Sequence, residues 1–377
     1  MGAYDVIVVG LGAHGSAAVA ELARRGARVL GIERFARGHE MGSFVGRSRI
    51  IRVSYFEHPD YVSLLRRAWQ RWQELERETG QRILFPTGGL YAGPAGSDVV
   101  AGALRSARQH RLAHDELDAS ELRRRFPWFR PAEGDVGLFD HQAGYLVPER
   151  AIAAHLAVAE RHGAELRFED GADDWYPDGE GYAVHTAKGT TERAARVVLS
   201  PGAWLSSFLP DLALPLRVER VTLFWFEPAD PRAFADIPIY IASTPDGDFY
   251  GFPWLADQGL KAARHGSGEP ADPDGLDRGI RPNEDERVRR FVRAYLPGGD
   301  GRLREAKVCM YTKTPDEHFI VDRHPAHPGV VFASACSGHG FKFASVMGEV
   351  LADLALNGVS PQRIGFLSLG RLQNVPA

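Results

Sequence analysis

The sequence predicts an α/β plus α+β fold in which a parallel-sheet domain is interleaved with an antiparallel-sheet domain. Three observations predict it. Residues 4–33 read strand, helix, strand; residues 328–358 return to strand and helix; and residues 217–265 break into short, alternating, turn-bounded runs.

YDVIVVG (4–10) is a short apolar run suited to a buried parallel strand, and SAAVAELARRG (16–26) carries apolar residues at helical spacing with a glycine at its end. RVLGIE (28–33) is a second apolar run, and the three together form a βαβ unit. Residues 62–79 (VSLLRRAWQRWQELERET) and 150–163 (RAIAAHLAVAERHG) read as amphipathic helices, with short strands and turns such as TGGLYAGPAG between them. RAARVVLSPGAW (193–204) reads as a buried strand running into a glycine turn.

RVERVTLFWFEP, DIPIYIAS, DFYGFPW and LKAARH then give the antiparallel signature. Residues 264–286 are rich in Pro, Gly and Asp and read as a long surface loop. PGVVFASA is a strand, CSGHG a tight loop, and FKFASVMGEVLADLALNG a helix closed by glycine. These runs suggest two interleaved domains, a discontinuous parallel-sheet domain (1–85, 147–215 and 308–377) and an antiparallel-sheet domain (86–146 and 216–307).

Bulk properties narrow the function. At 377 residues and 44% hydrophobic, the chain is long enough for two packed domains. A net charge of −4 argues against a broad nucleic-acid or anionic-membrane footprint. Two cysteines make no disulfide framework, and no apolar run approaches the roughly 18 residues that span a bilayer. MGAYDVIVVG lacks a basic n-region, and Gly2 lacks the Ser or Thr of a myristoylation motif. The expectation is a soluble, cytoplasmic protein with no nucleic-acid or membrane partner. Only five residues are lysine (Lys188, Lys261, Lys307, Lys313, Lys342), which makes each worth asking about.

Gly10, Gly12 and Gly15 fit G-x-G-x-x-G between strand and helix, the fingerprint of a Rossmann-like dinucleotide site. The first glycine permits the tight turn, the second a close backbone approach to a pyrophosphate, and the third close helix–strand packing. Glu33 ends the second strand, where its carboxylate can accept from ribose hydroxyls and would repel a 2′-phosphate. FAD and NAD are not separated by these residues.

RIIR (49–52), FYGFP (249–253), VCMYTKTPDEHF (308–319) and SGHGFKF (337–343) occur in that order. With the fingerprint, they make the whole chain resemble the monomeric sarcosine oxidase and N-methyltryptophan oxidase family. The resemblance implies a glutathione-reductase-like FAD-binding domain and an FAD-dependent amine oxidase. Such an enzyme converts an N-methyl amino acid to an imine with release of hydrogen peroxide, its partners being a small anionic secondary amine and molecular oxygen. A cyclic secondary amino acid (proline- or pipecolate-like) as substrate, and a dehydrogenase that does not use oxygen, remain alternatives.

The residue roles follow from the same resemblance. Cys309, otherwise an ordinary buried thiol, matches the cysteine that carries FAD covalently. Arg52 and Lys342 match the substrate-carboxylate ligands, and Arg49 matches an arginine beside the flavin ring. Read alone, Arg49 and Arg52 flank two isoleucines and suit a partly buried carboxylate. Lys342, in the first turn of a helix, opposes the dipole unless an anion compensates. Lys261 and His265 alternate along GLKAARH and project from one face. The resemblance assigns Lys261 to oxygen activation, and His265 and Tyr250 to the substrate pocket. His339 and Gly340, in SGHG, are expected at the pyrimidine end of the flavin, where backbone donors favour negative charge. Ile241 stands where sarcosine-oxidising relatives carry methionine, which leaves the preferred amine open. YFEHPDY is expected to help cover the site. Cys336 has no assigned role.

Overall fold

A computed structural model describes residues 4–266 and 268–374; Gly2 lies outside them. The predicted first unit forms as strand Tyr4–Val9, helix Ala13–Arg24 and strand Val29–Ile32. Tyr4–Val9 is the centre of an eight-stranded sheet, parallel to Val29–Ile32 on one side and Thr191–Leu199 on the other. Val330–Ser334 adds to the far side of Thr191–Leu199, also parallel. Val6, Val8, Ala18, Leu22, Val158, Val350 and Leu351 share one core cluster, so three helices cover this sheet: Ala13–Arg24, Pro148–Arg161 and Ala344–Asn357. Each fully buried Val or Leu contributes about 1.5–3 kcal/mol, which explains why the covered stretches 6–9, 29–32 and 197–199 carry no polar residue.

The second sheet has nine strands, with Arg217–Glu227 paired along its length with Arg302–Lys313. Its pairs are antiparallel except Ile239–Thr244 with Gly89–Pro94, which run parallel. That exception joins strands contributed by two separate stretches of chain, so no hairpin links them. A third sheet pairs Arg49–Arg52 and Leu84–Phe85, which precede Gly89–Pro94 in the chain, with Ala143–Leu146, which follows it.

Two expectations need correction. A boundary at residue 308 falls inside Arg302–Lys313, which belongs wholly to the antiparallel sheet, with Cys309 opposite Val221. The buried half of that strand, VCMYTK, shares a core cluster with Val221 and Leu223 of its antiparallel partner, a pairing that local sequence does not encode. Lys342 lies in a short 3-10 turn, Phe341–Phe343, that precedes helix Ala344–Asn357 rather than in its first turn. Among the described residues, no helix is long and apolar enough to cross a membrane.

Candidate functional site

Gly10 is left-handed (φ 85°), and a Cβ there would come within 2.7 Å of the Ser200 carbonyl oxygen. A Cβ on Gly15 would fall 1.7 Å from the Gly10 oxygen, so the turn closes only with glycine at both positions. At Gly12 a Cβ would meet nothing nearer than the Phe44 ring at 3.7 Å. Gly12 is also the N-cap of Ala13–Arg24, and no side chain caps that helix end. Uncapped N–H groups beside open space are what a pyrophosphate requires.

Glu33 is buried, and its carboxylate accepts from Leu11 N (2.8 Å) and Phe35 N (3.1 Å). Burial alone would raise its pKa, but His39 and these two amides bring it below the usual value, so it stays ionised. Gly10, Gly12, Glu33, Trp204, Cys336 and Phe341 line a cavity of about 500 Å³. Its size, the glycine cradle and the carboxylate fit an FAD, with Glu33 at the ribose and Gly12 at the diphosphate.

A smaller cavity of about 80 Å³ adjoins it, sharing Ser43, Cys336 and Phe341 with the first. Arg49, Arg52, Ile241, Tyr250, His265, Cys309, His339, Gly340 and Lys342 all line this second space. Strand pairing sets several of them: Ile241 faces Tyr250 across Ile239–Thr244 and Gly247–Gly251, and Tyr250 faces Ala263. His265 follows Leu260–Arg264 directly, and burial lowers its pKa to about 4, so the imidazole is neutral at neutral pH. Burial raises the pKa of both Tyr250 and Tyr311, so both phenols are neutral at neutral pH.

Three cations line the cavity, and no aspartate or glutamate does, among the described residues. Arg49 is held by carbonyls: Nη1 donates to Ser48 (2.9 Å) and Nη2 to Val45 (2.6 Å) and Ser43 (3.1 Å). Arg52 is 3% exposed and stacks on Tyr55 and Phe56, with Nη2 donating to Glu57 at 2.6 Å. Its Nη1 is buried without a hydrogen-bond partner. Burial would raise the Glu57 pKa, but Arg52, His339 and Lys342 hold it down at about 2. Lys342 Nζ donates to His339 O at 2.6 Å; burial and then Arg52 push its pKa well below the ordinary lysine value. An anion entering here would relieve both effects.

His339 is fixed between two partners. Nε2 lies 3.0 Å from Glu317 O, so it must donate, and Nδ1 therefore accepts from the Tyr55 hydroxyl at 2.5 Å. Burial lowers its pKa to about 3, consistent with this neutral tautomer. Lys261 is the one site residue brought near but not into the cavity wall. Its Nζ donates to Gly46 O (2.7 Å), Ser48 O (2.9 Å) and Ser48 Oγ (3.2 Å), between the Trp225 and Phe252 rings. Burial and Arg49 lower its pKa, while the three acceptors favour the ammonium.

Glu57, Tyr55 and Tyr311 were not singled out by sequence reasoning. Tyr55 and Glu57 lie in YFEHPDY, which is expected to help cover the site, and Tyr311 lies in the VCMYTK motif, but the sequence assigns none of the three a role of its own. Cys336 lines both cavities, and burial pushes its thiol pKa up.

Comparison with known proteins agrees with this geometry. Monomeric sarcosine oxidase of Streptomyces avermitilis is 45% identical over 381 residues, covering 99% of each chain. N-methyl-L-tryptophan oxidase of Salmonella enteritidis PT4 is 34% identical, over 95% of this chain and 96% of that one. Among solved structures, NikD, described as an unusual amino acid oxidase essential for nikkomycin biosynthesis, is 26% identical with a TM-score of 0.85, covering 97% of both chains. The model for the DAO family, FAD dependent oxidoreductases, matches residues 5–354. With that match spanning the glycine cradle, Glu33 and both cavities, the chain belongs to the FAD-dependent oxidoreductase family.

Proposed function

We propose that this chain oxidises small N-methyl amino acids to imines, with oxygen as electron acceptor and hydrogen peroxide as product. The observation that carries the reading is the second cavity: Arg49, Arg52 and Lys342 line it, and among the described residues no acid does and Arg52 Nη1 has no hydrogen-bond partner. A substrate carboxylate accepting from Arg52 Nη1 and Lys342 would satisfy the buried donor and offset the clustered positive charge. It would also orient the amine and its N-methyl carbon toward the junction with the larger cavity, where position rather than strong chemistry supplies most of the gain. FAD, when bound, supplies the two-electron acceptor.

The remaining side chains shape and dry the site. Ile50, Phe56 and Ile241 give it apolar walls, and neutral His265 with the Tyr250–Tyr311 pair gives it polar contacts of no net charge. No group at the wall is placed as a strong base, which suits an amine that binds unprotonated. Lys261 is the fixed cation behind the wall, suited to stabilise negative charge as oxygen is reduced. Cys309 is the attachment point of FAD through a thioether. Its sulfur is buried in the second cavity's wall, and positive charge from Arg49 at 3.5 Å would stabilise developing charge on it.

The protein acts in this reading as a cytoplasmic monomer. A peroxide assay over sarcosine, N-methyltryptophan, proline and pipecolate tests it. Peroxide with an N-methyl amino acid supports the reading. Bleaching of the visible absorption without peroxide would mark a dehydrogenase, and activity on the cyclic amines alone would move the substrate class.

A further inference from the structure

We propose that Arg371, near the C-terminus and remote in sequence from every pocket residue, is a positioning residue for the carboxylate-binding cations. This rests on the reading of the second cavity given above.

Arg371 reaches the TPDEHF turn, not the cavity. Its Nε donates to Asp316 Oδ2 (2.9 Å), and Nη2 donates to Asp316 Oδ1 (3.1 Å) and to the His318 carbonyl (3.1 Å). Asp316 Oδ1 also accepts from Thr314 Oγ1 (3.1 Å) and His318 N (3.1 Å), so one guanidinium closes the turn on itself. Within the turn, Glu317 is left-handed (φ 58°), which a non-glycine residue keeps only where neighbours hold it. Arg371 on one side and the Lys313–Glu317 ion pair on the other supply that hold.

The held carbonyl is the one His339 needs. Glu317 O accepts from His339 Nε2, which leaves Nδ1 to accept the Tyr55 hydroxyl. The Tyr55 ring then lies 4.3 Å from the Arg52 guanidinium and 5.2 Å from Lys342 Nζ, and Lys342 donates to the His339 carbonyl. Arg371, the 314–318 turn, His339, Tyr55 and the two cations thus form one unbroken chain of hydrogen bonds and ring contacts. If Arg371 is removed, Asp316 loses its counter-charge, the Glu317 carbonyl is free to turn, and the imidazole loses the acceptor that fixes its tautomer.

The test titrates the holoenzyme with acetate as a simple carboxylate, read by the visible absorption shift, alongside steady-state kinetics with sarcosine. Arg371→Ala is expected to weaken acetate and raise KM about tenfold, a loss on the scale of one good contact, while kcat changes little. Arg371→Lys should recover part of the loss. In a Tyr55→Phe background, which already breaks the chain, Arg371→Ala should add almost nothing. Should Arg371→Ala fail to fold, Arg371→Lys and Asp316→Asn carry the same comparison.

Unchanged acetate affinity in a folded Arg371 variant, or losses that simply add in the double variant, would overturn the proposal while leaving the cavity's function standing. A wild type that binds no carboxylate would instead sink the reading of the cavity, and this proposal with it.

Discussion

The guanidinium of Arg49 lies 3.5 Å from the sulfur of Cys309, held there by the carbonyls of Ser43 and Val45. Cys309 in turn donates to the same Ser43 carbonyl at 3.4 Å. Sulfur and cation are therefore fixed against one loop, and neither moves independently of the other. Cys309→Ala is expected to bind FAD but release it on acid precipitation, leaving a colourless pellet where the wild type stays yellow. Arg49→Ala, which removes the positive charge beside the sulfur, should slow attachment of added FAD to the apoprotein by at least about tenfold. A yellow acid pellet from Cys309→Ala would disprove the attachment.

Arg52 and Glu57 should behave unequally when cut apart. Arg52→Ala leaves Glu57 as a buried, unpaired carboxylate, at a cost of about 3–5 kcal/mol in stability. Arg52→Ala with Glu57→Gln should recover most of that melting loss yet keep a raised KM, because the donor for the substrate is still missing. Thermal unfolding and sarcosine kinetics on the same samples separate the two effects.

Lowering the pH should destabilise the fold before any carboxylate matters. Burial holds His14 and His265 at about 4, and His155 and His339 at about 3, all below the ordinary histidine value. The unfolded chain therefore binds more protons than the native one once pH falls below about 6.5, and stability drops from there toward pH 4 by up to about 1.4 kcal/mol per pH unit for each histidine. Glu57, held at about 2, adds its loss only below the ordinary glutamate range. His155 lies outside the site, so His155→Leu should flatten the melting-temperature slope over this window without altering KM. An unchanged slope would refute its neutral burial.

Ile241 lines the second cavity beside its strand partner Tyr250. Ile241→Ala should cost about 2–4 kcal/mol of stability through the void it leaves. It should also shift the kcat/KM ratio toward N-methyltryptophan and away from sarcosine. A panel in which only stability falls would remove Ile241 from the specificity wall.

The sequence carried the fold where local patterning and tertiary role coincide. YDVIVVG, the glycine fingerprint and the final helix each announce their place, because a buried parallel strand has no polar face to disguise it. Strand Arg302–Lys313 misled because its buried half looks the same in either kind of sheet. The site was legible through motifs at Arg49, Arg52, Cys309 and Lys342. Glu57 and Tyr55 were not, since their roles exist only once the segment after Arg52 folds back on that guanidinium and on His339. Arg371 was hidden for the same reason: its partner Asp316 is 55 residues away.

The order of strands has a bearing on how this chain is made. Tyr4–Val9 leaves the ribosome well before its neighbour Thr191–Leu199, and Val330–Ser334, that strand's own neighbour, emerges later still. The helix at Ala344–Asn357, made after all of these strands, seals the first one, with Gly348 at its crossing over Ala17. The nucleotide half cannot close until the stretch through residue 357 has been made, so the nascent polypeptide waits with apolar strands unshielded. Premature termination near residue 330 should yield aggregate or chaperone-bound material rather than a smaller, folded product.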